Sequence, residues 1–339
     1  MKINKHCFPN GLRLVHYEDT STQMVALNIV YDVGARDEHP EHTGFAHLFE
    51  HLMFGGSAHI PDYDTPLQLA GGENNAWTNN DITNYYLTVP KPNVETAFWL
   101  ESDRMLELAF SEQSLEVQRG VVMEEFKQRC LNQPYGDVGH LFRPLAFRVH
   151  PYRWPTIGKE LSHIEQATLD EVKSFFYRFY APNNAVLAVT GNISWDETVK
   201  FTEKWFAPIP RRDVPVRQLP QEPEQTQERR LTVERNVPLD ALFMGYHMCS
   251  REGADYYAFD ILSDILSNGR SSRLNRRLVQ EQNIFSGIDA YISGTRDAGL
   301  LQISGKPAAG VSLEQAEAAV RKELEELQRS PVDGQELEK

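Results

Sequence analysis

Three residues of one short stretch could do chemistry together: His47, Glu50 and His51, within His47-Leu48-Phe49-Glu50-His51. A helix brings positions i, i+3 and i+4 onto one face. The two imidazoles would then stack one turn apart, both able to offer a nitrogen to a single ion, with Glu50 beside them. Two neutral histidines plus one carboxylate leave the fourth position of a zinc ion open for water. Glu50 could take a proton from that water as it attacks a carbonyl. The competing reading is a polar helix face with two unrelated histidines, because a pattern with so few fixed positions also arises by chance.

The helix that must carry this group is expected from about Thr43 to Phe54, with Thr43 as N-cap and Gly55-Gly56 as the stop. Before it, residues 12–15 and the apolar run 24–31 read as strands. After it, a short helix is expected over 64–69, a strand over 84–89 and a helix over 94–109. A strong helix follows from Ser114 to about Leu131, with Leu115, Val121, Val122 and Phe126 as its apolar side. Residues 169–180 form an aromatic amphipathic helix, 185–190 a buried strand and 196–205 a further helix. The stretch 207–229 holds five prolines, many charges and few large apolar groups. This composition predicts a semi-extended, solvated linker. Beyond it, strands near 230–234 and 241–246 and helices over 254–266, up to about Gln282 and over 312–328 make a second α/β block, and 332–339 resembles the first turn of a helix cut short.

At 339 residues the chain suits two domains, and 41% hydrophobic with 24% charged residues is ordinary for a globular protein. A net charge of −14 argues against nucleic acid as a partner and against an anionic membrane surface. No stretch is apolar enough to span a bilayer, and residues 1–14 do not read as a signal peptide. Cys7, Cys130 and Cys249 form neither a disulfide framework nor a thiolate zinc site, so a cytoplasmic setting is the expectation.

The order H-x-x-E-H is the inverse of the H-E-x-x-H zinc-peptidase motif. The segment 34–56, GARDEHPEHTGFAHLFEHLMFGG, closely resembles the pitrilysin/insulinase family of zinc peptidases, which includes the mitochondrial processing peptidases. That resemblance implies a third metal ligand, a Glu on a second helix downstream, and the matching stretch is Val121-Val122-Met123-Glu124-Glu125. Helical geometry alone cannot choose between two adjacent glutamates, which point about 100° apart; the family pattern selects Glu125. One heptad earlier, where many relatives carry a further Glu, this chain has Gln118, which either orients the site by hydrogen bonding or is a plain helix-surface residue. Residues 71–78 and 81–86 also match, and in relatives they border the cleft. An edge strand there would bind an extended peptide through backbone pairing, with Asn75 and Ala76 nearest the substrate; otherwise the Gly-Gly-Glu-Asn-Asn run is only a turn. Residues 190–194 and 205–210 resemble the close of the family's first domain, and 268–274 is similar more loosely.

The resemblance implies two related α+β domains, each a mostly antiparallel sheet with helices packed on one face, as in processing-peptidase-like metallohydrolases. The expected organisation is a zinc-binding domain over 1–210, the linker over 211–229, and a second homologous domain over 230–339 that is incomplete at its C-terminus. The implied activity is that of a zinc metalloendopeptidase, or its catalytic subunit, hydrolysing unfolded peptides through a metal-activated water. One Zn2+ per chain would be held by His47, His51 and Glu125, with Glu50 as general base. Self-sufficient relatives also supply an Arg and, seven residues on, a Tyr that stabilise the oxyanion. Here those places fall on Leu278 and Phe285, neither of which can donate a hydrogen bond, with Arg276 and Arg277 one register away. This departure points to a homologous partner subunit or a homodimer, unless a shifted helix recruits Arg277 or the donors lie in an absent C-terminal portion. The rival readings are a non-catalytic scaffold subunit and a peptidase devoted to maturing one small peptide. His140, His150 and His163 lack partners at metal spacing and read as surface or core-edge residues.

Overall fold

In the computed structural model, which describes residues 2–330, 332 and 334–338, the chain divides into two units, Met1–Gln227 and Glu228–Lys339. The first is built on a sheet of β1 (Asn4–Cys7), β2 (Arg13–Glu18), β3 (Met24–Tyr31), β4 (Glu73–Thr78), β5 (Thr83–Pro90) and β6 (Ala185–Gly191). Their spatial order is β1-β2-β6-β3-β5-β4; β2 and β6 run parallel, and the other neighbours antiparallel. Side chains alternate across a strand, so one face collects Val25, Leu27, Ile29, Tyr31, Tyr85, Leu87, Val89, Leu187 and Val189, all buried. Around it lie α1 (Phe45–Leu52), α2 (Asp64–Leu69), α3 (Val94–Leu106), α4 (Glu112–Phe126), α5 (Val138–Ala146), α6 (Leu161–Glu165), α7 (Leu169–Phe179) and α8 (Trp195–Phe206). Phe45, Phe49, Leu100, Leu115, Val122, Phe176 and Phe206 from these helices join the sheet residues in one core.

Helix α4 follows the expected pattern with one exception. Leu115, Val122 and Phe126 are buried, but Val121 is exposed, since it sits about 100° from Val122 on the helix. Directly after Phe126 the helix widens into a π-helical turn, Lys127–Leu131, in which the N–H of Asn132 reaches the Lys127 carbonyl at 2.9 Å.

The proline-rich stretch after the first unit's last helix is not freely solvated along its whole length. Arg212 donates to the carbonyls of Tyr180 and Leu106, each at 2.7 Å. Arg217 pairs with the carboxylates of Asp32 and Asp37. The Glu222 carboxylate accepts three consecutive backbone N–H groups, those of Arg148, Val149 and His150, at 2.7–3.0 Å. A segment without a core of its own is thus strapped to the first unit by charged groups that satisfy backbone atoms and acids.

The second unit holds β7 (Leu242–Met248), β8 (Phe285–Ile292) and β9 (Gly299–Pro307) in the antiparallel order β7-β9-β8, with α9 (Tyr256–Ser267), α10 (Leu313–Arg329) and the short α11 (Gly334–Leu337). Met244, Leu266, Leu274, Leu278, Phe285, Ile303 and Val320 form its core. Residues 230–234, expected as a strand, have no strand structure; a β-prone sequence without a neighbour to pair with stays irregular. The turn expected over 332–339 appears in part as α11, while Pro331, Asp333 and Lys339 lie outside the described residues.

Candidate metal centre

Helix α1 owes its position to its apolar side. Phe45, Ala46, Leu48, Phe49 and Leu52 are buried, and the Phe49 ring stacks on Phe175 and Tyr180, with centroids 5.2 and 5.0 Å apart. The hydroxyl of Tyr85 donates to the Phe49 carbonyl at 3.1 Å. The helix begins two residues later than expected, at Phe45, and Thr43 does not cap it; the Thr43 hydroxyl instead accepts the N–H of Lys159 at 2.7 Å. The cap is the carboxylate of Glu38, which accepts the N–H of Gly44 at 2.9 Å and of Ala46 at 2.8 Å. Burial pushes the Glu38 carboxyl up to about 8, against the pull of those two hydrogen bonds. Gly44 has φ +90, and a Cβ there would lie 2.7 Å from Ile164 Cδ1, so the turn into α1 needs glycine.

On the other side of α1 the imidazoles of His47 and His51 lie 5.0 Å apart and almost perpendicular. Glu125, near the end of α4, turns one oxygen to both: Oε2 is 3.5 Å from His47 Nε2 and 3.3 Å from His51 Nε2. Glu124 points away and faces Lys127 at 3.7 Å. Two donors bound to one tetrahedral zinc at about 2.0–2.1 Å stand roughly 3.3 Å apart, which is the spacing between Glu125 and the two rings. Among the described residues this is the one group of His, Cys, Asp and Glu side chains able to hold a metal ion.

The electrostatics suit the same purpose. Burial lowers the His47 pKa to about 4, keeping its ring neutral, the form that donates a lone pair to a metal. The hydrogen bond with His51, aided by the nearby Arg129 guanidinium, holds the Glu125 carboxyl below its ordinary range, so it stays ionised. Two imidazoles and a carboxylate match zinc's ligand preferences, so the residues fit the ion that the motif implies. His47 Nδ1 is buried without a hydrogen-bond partner.

A family description, insulinase (peptidase family M16), matches residues 13–138, and a second, the M16 inactive domain, matches residues 166–339. The chain belongs to the M16 peptidase family. It is a zinc metalloprotease with an N-terminal catalytic and a C-terminal inactive domain in the α+β M16 fold, and its candidate metal site is His47, His51 and Glu125. The M16 chain is 28% identical to the zinc protease PqqE of Helicobacter pylori over 336 residues, 97% of this chain and 76% of that one. The crystal structure of a protease from Helicobacter pylori superposes with a TM-score of 0.94 at 28% identity, covering 99% of this chain and 82% of that one. The ferredoxin protease FusC, solved in complex with Arabidopsis ferredoxin, shares the fold at a TM-score of 0.79 and 19% identity. The M16 chain covers 38% of that structure.

Glu50 is half-buried on α1 between the two histidine positions, and burial raises its carboxyl while the Thr78 hydroxyl works in the opposite direction. Asn75 and Ala76 lie on β4, the edge strand of the sheet, and the N–H of Ala76 is held by the Asn75 side chain at 2.8 Å. Gln118 is half-buried on α4 with no hydrogen bond to the histidines or Glu125 among the described residues. Leu278 and Phe285 are fully buried in the second unit's core, and Arg277 is bound to Glu323 and Glu326 at 2.6 and 2.5 Å. Of the histidines set apart from the site, His140 bonds to the Gly158 carbonyl at 2.9 Å and His163 to the Thr43 hydroxyl at 2.9 Å.

Three residues near the site escaped the sequence reading. Thr78 and Glu38 lie within the matched stretches 71–78 and 34–56, but their roles depend on tertiary contacts that the sequence pattern does not assign. Arg129, which meets Glu125 at 2.9 Å, had a signal: an opposite charge four residues on.

Proposed function

We propose that this chain is the metal-bearing subunit of a metalloendopeptidase that cleaves extended, unfolded peptides. The observation that carries the reading is the convergence of His47, His51 and Glu125, with Glu50 one helical step away. His47, His51 and Glu125 would hold one zinc ion per chain. Zinc there would supply Lewis acidity toward water and the scissile carbonyl. Glu50 takes the proton of the attacking water and returns it to the leaving amine; its raised pKa moves it toward the working range of a general base. The free edge of β4 would receive the substrate as an added strand, the peptide's carbonyl displacing the Asn75 side chain from the Ala76 N–H.

The oxyanion donors are assigned to another chain, a homologous partner or a second copy. This rests on Leu278 and Phe285, which are apolar and buried, and on Arg277, which two carboxylates already hold. Substrates would be peptides or proteins; that the related FusC structure contains a ferredoxin is a property of that enzyme. No helix among the described residues is long and apolar enough to cross a membrane. The three free thiols suit a reducing compartment such as the cytoplasm.

The test is metal content measured together with cleavage of a quenched fluorescent peptide, on the chain alone and mixed with the product of a homologous gene. One zinc per chain with activity only in the mixture supports both the site and its division between chains. One zinc with full activity alone removes the partner and keeps the peptidase. A chain that takes up no zinc would favour a scaffold.

A further inference from the structure

Glu125 makes two different uses of its two oxygens. Oε2 faces His47 and His51, while Oε1 receives Nη2 of Arg129 at 2.9 Å. Arg129 stands four residues beyond Glu125, inside the π-helical turn Lys127–Leu131. In an α-helix four residues sweep about 400°, so residue i+4 overshoots residue i by about 40°. A widened turn sweeps less per residue, which reduces that overshoot and sets Arg129 over the Glu125 carboxylate. π-Turns of this kind are frequent at functional sites.

We propose that Arg129 is a positioning residue for the third metal ligand, a role that rests on reading Glu125 as that ligand. The last torsion of a Glu side chain is broad and nearly two-fold, so an unrestrained carboxylate presents either oxygen, or both, to a neighbour. The Arg129 guanidinium, ion-paired with Oε1, leaves Oε2 turned toward the histidines. The pair contributes little to folding, because Arg129 is 66% exposed and exposed i, i+4 ion pairs are weak. Its cost to metal binding is repulsion between the guanidinium and a dication. That repulsion is screened by the water around Arg129, whereas the orientation of the carboxylate acts at bonding distance. Orientation therefore dominates, and removing Arg129 weakens the site.

The experiment is zinc affinity by chelator competition on the metal-stripped full chain, for wild type, R129A, R129K and E125Q, with the melting temperature of each stripped protein. R129A is expected to bind zinc about 10–100-fold more weakly, the range for removing a group that orients a metal ligand, with an unchanged stripped-form melting temperature. R129K should recover most of the loss, since one ammonium N–H can serve one oxygen. Wild-type or tighter zinc binding by R129A would overturn the proposal, as would a R129K variant no better than R129A. Weaker binding by R129A accompanied by a clearly lower stripped-form melting temperature would make Arg129 a fold residue instead and would also overturn it. Failure of the underlying reading is distinguishable: E125Q would then bind zinc as wild type does.

Discussion

The carboxylate of Glu38 accepts the backbone N–H of Ala46, the residue immediately before His47, at 2.8 Å. The helix that carries both candidate ligands is therefore gripped at its first turn by an acid from outside the helix, and that acid is buried.

Glu38 should make stability depend on pH. Its folded pKa, about 8, lies above the ordinary 4.5, so the folded chain holds the proton more tightly than the unfolded one. The stabilisation is complete below about pH 4.5 and is lost as pH rises toward 8, with a slope of at most about 1.4 kcal/mol per pH unit. In Glu38→Gln that dependence disappears. Urea melts of the stripped protein at pH 5, 6.5 and 8 check this; an unchanged difference between wild type and variant across that range would refute it.

Glu50→Gln should leave zinc content at one per chain and cut kcat by about 10²–10⁴-fold, the span attributed to a positioned general base. Loss of zinc in this variant would mean that Glu50 belongs to the ligand set.

The two adjacent glutamates should separate cleanly. Glu125→Gln is expected to abolish stoichiometric zinc binding, while Glu124→Gln, whose side chain faces Lys127, leaves it intact. Equilibrium dialysis against zinc decides between them, and equal loss in both variants would contradict the assignment.

Arg217→Ala removes the main partner of Asp37, whose carboxyl is almost fully buried and already raised by burial. A loss of about 2–3 kcal/mol is expected, below the full penalty for orphaning a buried charge because Arg36 remains within 4.0 Å of Asp37. The double variant with Asp37→Asn should regain part of it. Thermal melts of the three proteins test the coupling.

Much of this was legible from residue order alone. The apolar run 24–31 and the short helix 64–69 have the expected bounds, because hydrophobic burial acts directly on such runs. The histidine–glutamate motif placed its three side chains on one helix face for the same periodic reason. What stayed hidden depends on partners distant in sequence or on departures from ideal periodicity. The Glu38 cap replaces a local Thr43 cap because a tertiary carboxylate reaches the helix start. The π-turn after Phe126 breaks the repeat of 3.6 on which helix reading relies. Residues 230–234 have strand composition but no neighbour to complete a ladder.

If its substrates are extended peptides, the protease must also live with extended segments of its own. The strap after Pro210 is such a segment, rich in proline and charge, and so resembles what a clearing peptidase degrades. Arg212, Arg217 and Glu222 hold it down at three points, and a chain pinned in this way cannot be drawn into another molecule's cleft as a strand. Those three residues would thus act as a form of self-immunity, sparing the connection between the two units from the activity housed in the first.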